Sequence, residues 1–139
     1  MSSHDMKRQL INPSPTQAIY DALHFSQATR VGDTIWVSGQ VGIDTATLAP
    51  AEGVEAQTRL AFEGLKSALR GAWASLADVV DLSTFHTDLR GDMEAFSRVK
   101  DEYLTELHPS WTAVGVTQLA LPELVVEIRA VAVAGSGDG

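Results

Sequence analysis

The sequence predicts an α+β fold with the element order β-β-α-β-α-β-β and two helices on one face of a mixed β-sheet. Short runs rich in β-branched and aromatic residues occur near both ends of the chain and once in the middle. Two longer stretches between them place apolar residues every three or four positions, as amphipathic helices do. The 139 residues are expected to form a single domain (1–139) with a substantial core.

The N-terminal strands are predicted from two extended runs, residues 25–31 and 34–38, on either side of Gly32-Asp33. A glycine–aspartate pair between two such runs favours a tight hairpin turn. The two glycines in the segment 39–42 indicate a bulge or a close approach of another group to the backbone. Residues 1–16 contain two prolines and no periodic pattern, so they are expected to form an irregular arm.

The clearest helix is predicted over about residues 54–76, where alanines and leucines recur along one face. A strand is predicted over 78–88. Asp92 is the predicted N-cap of a second helix, and His108-Pro109 is expected to end it. Two helices of this size cover one face of a sheet of four or five strands.

The closing strands, Trp111 to Leu119 and Leu124 to Val133, are predicted to form a hairpin with its turn at Leu121-Pro122-Glu123. Their apolar residues occur at both alternations, so the face without helices needs a partner, and we expect an oligomer. The glycine-rich residues 135–139 are expected to form a flexible tail.

Glu127 is the main candidate for a functional residue because it interrupts an almost continuous apolar run. A buried, unpaired carboxylate costs on the order of several kcal/mol, so it indicates a partner or a use. Trp111 opens the preceding strand, and the two side chains are therefore expected to face one cleft. The alternative is an ion pair of Glu127 with Arg129 or a neighbouring strand on a solvated face.

Composition limits the possible functions. The chain has no cysteine, which excludes disulfides, thiolate catalysis and cysteine–zinc sites. No histidine has the spacing of a metal motif, so neither a metal nor another cofactor is predicted. The net charge of −8 without a basic stripe disfavours nucleic-acid binding. With no membrane-length apolar run and no signal-peptide pattern, a cytoplasmic protein is expected.

His86 lies in a mostly apolar predicted strand, directly after Phe85. A histidine there serves either as a general acid or base in a cleft or as a buried structural group with satisfied hydrogen bonds. We favour the structural role.

Several motifs, taken in order, resemble the RidA (YjgF/L-PSP) family, and the resemblance is collinear over about residues 24–133. The motifs are Phe25-Ser26-Gln27-Ala28, Gly32-Asp33-Thr34-Ile35-Trp36-Val37-Ser38-Gly39-Gln40, Ala56-Gln57-Thr58-Arg59, and the stretch from Pro109 to Val126-Glu127-Ile128. The resemblance implies a chorismate mutase-like fold. It also implies a homotrimer with small-molecule sites in the clefts between subunits.

The deaminases of this family hydrolyse imines or enamines such as 2-aminoacrylate to a 2-keto acid and ammonia. They use an arginine shortly after the proline of the penultimate strand to bind the substrate carboxylate. Trp111 occupies that position here, and its single neutral N–H does not replace a guanidinium. With residues 83–88 and 111–117, the chain is more similar to the YjgH-like branch, which lacks the deaminase arginine.

The resemblance also implies the roles of single residues. Glu127 matches the family glutamate that orients or activates water, and it is the predicted catalytic residue. The predicted substrate-binding residues are Ser38, Gly39, Trp111, Phe25 and Thr112. Trp111 either forms a wall for an apolar, aromatic or cationic ligand or plugs the cleft.

Three functions follow from these residues. The first is hydrolysis of an imine, enamine or related small metabolite, without standard 2-aminoacrylate deaminase activity. The second is a trimer that binds a small molecule without turning it over. The third, an endoribonuclease, is disfavoured by the acidic charge.

Overall fold

The computed structural model describes residues 6–138, which form an α+β fold of six strands and three helices. The strands are β1 (Gln9–Ile11), β2 (Ala28–Val31), β3 (Thr34–Val41), β4 (Val79–His86), β5 (Ser110–Gly115) and β6 (Val126–Val133). The helices are α1 (Gln17–Leu23), α2 (Val54–Gly71) and α3 (Leu89–Tyr103). The predicted fold class is confirmed.

The strands form one mixed sheet in the order β1-β2-β3-β6-β4-β5. Strands β4 and β5 are parallel, and every other neighbouring pair is antiparallel. The predicted hairpin at Gly32-Asp33 is confirmed, because β2 pairs with β3 directly across that turn. Helix α2 connects β3 to β4, and the last strand, β6, lies between those two strands. This arrangement is a split βαβ unit.

The predicted C-terminal hairpin is wrong. Strands β5 and β6 do not pair, because β4 lies between them. Helix α3 crosses over from β4 to β5 and makes these two strands parallel, which leaves the other edge of β4 for β6. The predicted turn at Leu121-Pro122-Glu123 is instead part of a longer connection, 116–125, whose two ends bond to the backbone at the end of β4.

The N-terminal arm is more ordered than the sequence predicts. Residues 9–11 pair with β2 as an edge strand, and α1 follows a single 3₁₀ turn at Ser14–Thr16. At the other end, the predicted flexible tail contains a 3₁₀ turn, in which the Gly137 N–H donates to Asp78 Oδ1 over 2.8 Å. Residues 1–5 of the arm and residue 139 of the tail lie outside the described residues.

The helix ends also differ from the prediction. Helix α2 ends at Gly71, because Trp73 has a left-handed backbone (φ 59°) that a continuing helix does not tolerate. Helix α3 is capped by Asp88 rather than Asp92. The Asp88 carboxylate accepts a hydrogen bond from the Gly91 N–H over 3.3 Å, and a Cβ at Gly91 would overlap that carboxylate.

The core lies between the sheet and helices α2 and α3. Alternate residues of β6 are buried on this side, from Val126 to Ala132, while Glu127 and the following odd-numbered residues lie on the other face. On that other face, Trp36 of β3 pairs with Val131 and leaves 39% of its surface exposed. An apolar sheet face is therefore uncovered in the single chain, as expected.

Within residues 6–138, no helix is both long and apolar enough to cross a bilayer. No group of three or more histidine, aspartate or glutamate side chains in the same range is arranged to hold a metal ion.

Candidate functional site

A cavity of about 640 Å³ lies beside a bulge near the end of β3. The β3–β6 register shifts between Val37 and Gln40, and β2 does not extend along this part of β3. The open space is bounded by α1, one face of α2, the loop after β3 and the connection 116–125. Its volume is in the range typical of small-molecule sites.

Glu127 and Gly39 meet at the wall of this cavity. Both residues line it, and a Cβ at position 39 would overlap the Glu127 carboxylate. The glycine is therefore required for close approach, as the sequence predicts. No Lys or Arg among residues 6–138 forms an ion pair with Glu127, so the alternative pair with Arg129 is not observed. Burial raises the pKa of Glu127 above its ordinary value.

Two buried glutamines, neither predicted as a site residue, form the cavity floor. Gln40 is 8% exposed and Gln27 is 6% exposed. The Gln40 Nε2 donates to Gln27 Oε1 over 2.9 Å and to the Ser38 carbonyl over 3.1 Å. The bulge interrupts the in–out alternation of β3, so the inward direction of Gln40 cannot be read from the sequence pattern.

Two further carboxylates line the cavity, those of Glu63 on α2 and Asp44 in the loop after β3. The Tyr103 hydroxyl donates to Glu63 Oε2 over 2.8 Å. Burial and this hydrogen bond raise the pKa of Tyr103 to about 12. Asp44 Oδ1 accepts from the Ala46 N–H over 2.8 Å and so shapes its own loop. Glu63 and Asp44 are both solvent-exposed at this edge of the cavity.

The connection 116–125 supplies a wall through Leu121 and Leu124. Gln57 of α2, 1% exposed, holds this connection in place. Its Nε2 donates to the Glu123 carbonyl over 2.8 Å, and its Oε1 accepts from the Val125 N–H over 2.9 Å. The segment interpreted as a hairpin turn is thus part of the site.

Three of the predicted site residues, Phe25, Gly39 and Glu127, come together at the cavity. Phe25 is partly exposed at its mouth. Ser38 does not line the cavity among the described residues. Its hydroxyl donates to the Ser26 carbonyl over 2.7 Å, a contact that fixes the backbone next to Gly39.

Trp111 has its own partners within the chain. Its Nε1 donates to Thr84 Oγ1 over 2.9 Å, and its ring centroid lies 5.9 Å from that of Phe96. The Lys100 Nζ lies 4.8 Å from the centre of the ring. The indole remains 37% exposed on the edge strand. Its cation–π partner is therefore a lysine of α3.

Trp111 and Glu127 do not face one cleft within a single chain. Trp111 pairs with Leu82 and lies on the helix-covered face, whereas Glu127 lies on the opposite face. Thr112 alternates with Trp111 and pairs with Ser83, so it is exposed on the open face. The strand order that separates Trp111 from Glu127 was not visible in the sequence.

His86 is fully buried and does not line the cavity. Its Nε2 lies 2.8 Å from Thr84 Oγ1, and its ring meets Phe96 edge-on at 4.8 Å. Its Nδ1 has no hydrogen-bond partner in the part of the chain that the structure describes. Burial lowers the pKa of His86 and so favours the neutral imidazole. The burial and the Thr84 and Phe96 contacts fit a structural role, but the hydrogen bonds of the ring are satisfied at Nε2 and not at Nδ1 within residues 6–138.

The family model described as Endoribonuclease L-PSP matches residues 15–134. The chain belongs to the RidA (YjgF/L-PSP) family. Among its relatives is the RutC family protein YjgH of Escherichia coli (strain K12), 37% identical over 116 residues that cover 83% of this chain and 88% of YjgH. A 2-iminobutanoate/2-iminopropanoate deaminase of Salmonella typhimurium is 32% identical, with coverage of 78% of this chain and 86% of the deaminase.

A solved structure of YjgH resembles this RidA-family chain with a TM-score of 0.83 and 36% identity, covering 91% of this chain and 96% of YjgH. The predicted family and the similarity to YjgH are therefore confirmed. The described fold also agrees with that of a known RidA-family structure.

Proposed function

We propose that this RidA-family chain hydrolyses a small imine, enamine or related metabolite in the cavity around Glu127, with ammonia as one product. The supporting observation is the Glu127 carboxylate, which is half-buried, lacks an ion-pair partner in residues 6–138, and lies against Gly39 in a cavity of about 640 Å³. Burial raises the pKa of this carboxyl group, which suits it better to proton transfer than an ordinary exposed glutamate.

The reaction needs a held water and a route for its proton. The water oxygen bonds to the imine carbon, the C=N π electrons move to nitrogen, and Glu127 accepts the proton that the water loses. Glu127 then returns that proton to nitrogen, which gives a carbinolamine. The carbinolamine hydroxyl proton passes through Glu127 to the amine nitrogen as the C=O bond forms, and the C–N bond breaks to give a carbonyl compound and ammonia. The raised pKa of Glu127 brings its proton affinity closer to what both transfers require.

The same chain is not expected to be a standard 2-aminoacrylate deaminase. Trp111 stands where such a deaminase has its carboxylate-binding arginine, and its N–H is already bonded to Thr84. A neutral indole offers no bidentate charged contact to a carboxylate. The deaminase activity named for the Salmonella relative therefore does not transfer residue by residue.

We further propose a homotrimer with its sites in inter-subunit clefts. Trp111 and Glu127 lie on opposite faces of the sheet, so a site that uses both needs two subunits. The exposed apolar face around Trp36 and Val131 supplies a surface for association. We place the protein in the cytoplasm, in keeping with its lack of cysteine.

Glu127→Gln tests the proposed chemistry. An amine oxidase acting on benzylamine generates a carboxylate-free imine, and the hydrolysis of that imine is followed by the release of ammonia, measured with glutamate dehydrogenase. We expect the substitution to reduce the protein-dependent rate by about 100-fold, within the range of general-base effects. Glu106→Gln, an exposed site outside the cavity, is the charge-matched control. An unchanged rate in Glu127→Gln would exclude the water-activating role.

The mainly apolar wall of the cavity also supports the alternative of a binding trimer without turnover. In that case the wild-type protein binds a ligand in the cavity but accelerates hydrolysis of no imine. An endoribonuclease, the activity in the name of the matched family model, is the weakest of the three candidates. Three carboxylates line the cavity, and the net charge of −8 opposes binding of a phosphate backbone.

A further inference from the structure

The ionisable side chains that line the cavity are all acidic. Asp44, Glu63 and Glu127 contribute carboxylates, and none of the lining residues described in 6–138 is lysine, arginine or histidine. We infer that this cavity selects a positively charged ligand without a carboxylate: an iminium ion as substrate, or the corresponding primary ammonium. The inference builds on the proposed imine hydrolysis by naming the charge and the chemical class of its substrate.

The three carboxylates differ in exposure and in how they are held: Asp44 and Glu63 are exposed at the edge of the cavity, whereas Glu127 is partly buried. Glu63 Oε2 is bonded to the Tyr103 hydroxyl, and Asp44 Oδ1 is bonded to its own loop, so each has a second oxygen left for a ligand. Glu127 lies deeper, beside the bulge. An anion entering the cavity would meet three like charges, whereas a cation would meet three opposite ones.

A neutral acceptor adds to the preference for a donor-bearing ligand. The Gln40 amide nitrogen is used twice, by Gln27 and by the Ser38 carbonyl. Its oxygen has no hydrogen bond to any of residues 6–138 and lies directly under Gly64. More than nine-tenths of the side chain is buried, so this oxygen is available mainly to a group inside the cavity.

The mouth of the cavity is apolar, which indicates the other half of the ligand. Leu23, Phe25, Leu48 and Leu121 all line the cavity and are all at least 40% exposed. An aromatic or branched aliphatic body would cover these side chains while its cationic nitrogen reaches the carboxylates. The ligand class is therefore amphipathic, with one positive nitrogen on an apolar body.

An iminium substrate of this class reacts with full balance of atoms and charge. R₂C=NH₂⁺ and H₂O give R₂C=O and NH₄⁺. The first water proton passes to Glu127 as the C–O bond forms and returns to nitrogen before the C–N bond breaks. The remaining hydroxyl proton passes through Glu127 to the leaving ammonia as the C=O bond forms, which gives NH₄⁺. Substrate and final product ion are both cationic, so the acidic walls favour binding and no external oxidant or reductant is required.

Three probes of similar shape and different charge test the inference by direct binding. Benzylamine is an ammonium ion at pH 7, benzyl alcohol is neutral and benzoate is an anion. Dissociation constants are measured by isothermal titration calorimetry or by NMR chemical-shift titration at pH 7 and low salt. We expect benzylammonium to bind about tenfold more tightly than benzyl alcohol, and benzoate to show no binding at the cavity.

Glu63→Gln isolates the charge effect from the shape of the cavity. We expect it to weaken benzylammonium binding about fivefold and to leave benzyl alcohol binding unchanged. Glu106→Gln removes the same charge at an exposed site outside the cavity and should change neither constant. Asp44→Asn, which keeps the loop-capping Oδ1, is the second variant if Glu63→Gln fails to fold.

Benzoate binding as tight as that of benzylammonium would overturn the inference, and so would equal losses in Glu63→Gln and Glu106→Gln. Absence of binding by all three probes would also overturn it. The binding result is independent of turnover. Tight ammonium binding without imine hydrolysis would support the ligand class and contradict the proposed reaction. Hydrolysis of imines that carry a carboxylate would support imine hydrolysis and contradict the ligand class.

Discussion

Glu127 is an ionisable residue in an environment that disfavours its ionised form. Its position in the apolar strand β6 removes the carboxylate from water, and burial raises its pKa. No cation among residues 6–138 offsets that cost through an ion pair. A residue kept in such an environment lowers the stability of the folded chain whenever it is ionised.

Glu127→Gln should therefore stabilise the fold at neutral pH while it removes activity. Because the folded-state pKa lies above the unfolded value, the penalty is absent below the unfolded pKa, grows between the two pKa values and is complete above the folded pKa. We expect the variant to exceed wild type by about 1 kcal/mol in unfolding free energy at pH 8, and by less at pH 4. Urea unfolding at both pH values measures this, with Glu106→Gln as control. An equal difference at pH 4 and pH 8 would contradict the prediction.

Single residues with a strong local signal could be predicted from the sequence. Glu127 interrupts an apolar strand, and Gly39 lies in a segment whose glycines indicate that another group approaches the backbone closely. Both residues were predicted for these reasons, and both line the cavity. Gln40 and Glu63 were missed for physical reasons. The bulge in β3 interrupts the alternation that would reveal the direction of the Gln40 side chain. Glu63 lies on the polar face of an amphipathic helix, and the sequence pattern of that face is the same whether it borders solvent or a cavity.

At the scale of elements, local sequence predicts that a strand exists better than it predicts which strand is its neighbour. Strands β5 and β6 were both foreseen, but their pairing was not. The partner of β6 depends on the crossover through α3 and on where β3 and β4 leave a gap, which are long-range properties. The error affects the site, because the connection 116–125 is a cavity wall rather than a two-strand turn.

Gln57 should be essential to that wall. Its side chain bonds to the Ala51 and Glu123 carbonyls and to the Val125 N–H. Gln57→Leu would leave these groups unpaired, so we expect a loss of about 2–3 kcal/mol in unfolding free energy. Gln17→Leu is the control. Within residues 6–138 the exposed Gln17 side chain bonds only to Asp21, so this substitution should cost less than about 0.5 kcal/mol. Similar losses of unfolding free energy in both variants, measured by chemical denaturation, would show that Gln57 does not hold the connection 116–125 in place.

At the scale of the whole molecule, the sheet is covered on one face only. Helices α2 and α3 bury one side, while the opposite side exposes Trp36 next to Val131. The sequence predicted this face from apolar residues at both alternations, a pattern that helices on one side cannot satisfy. It could not show how the chain would place Trp111 and Glu127 on different faces. That separation is the argument for a site shared by two subunits.

Trp36→Asp should break the proposed trimer, because a carboxylate would have to be buried at an apolar subunit interface. Analytical ultracentrifugation is expected to give three times the chain mass for wild type and the single-chain mass for the variant. Trp73→Asp is the matched control. Trp73 is 73% exposed at the end of α2, with a left-handed backbone that aspartate tolerates, and this variant should remain trimeric. A wild-type protein that sediments as a monomer would refute the trimer and the inter-subunit cleft together.

The most direct test of the central claim is the rate at which wild-type protein hydrolyses a 2-imino acid. An amino-acid oxidase generates the imino acid in situ, and semicarbazide traps whatever is not hydrolysed. Because Trp111 replaces the carboxylate-binding arginine and carboxylates line the cavity, we predict no acceleration above the protein-free rate, with clear acceleration for the imine of benzylamine under the same conditions. Robust hydrolysis of 2-aminoacrylate-derived imine by the wild-type chain would contradict the account.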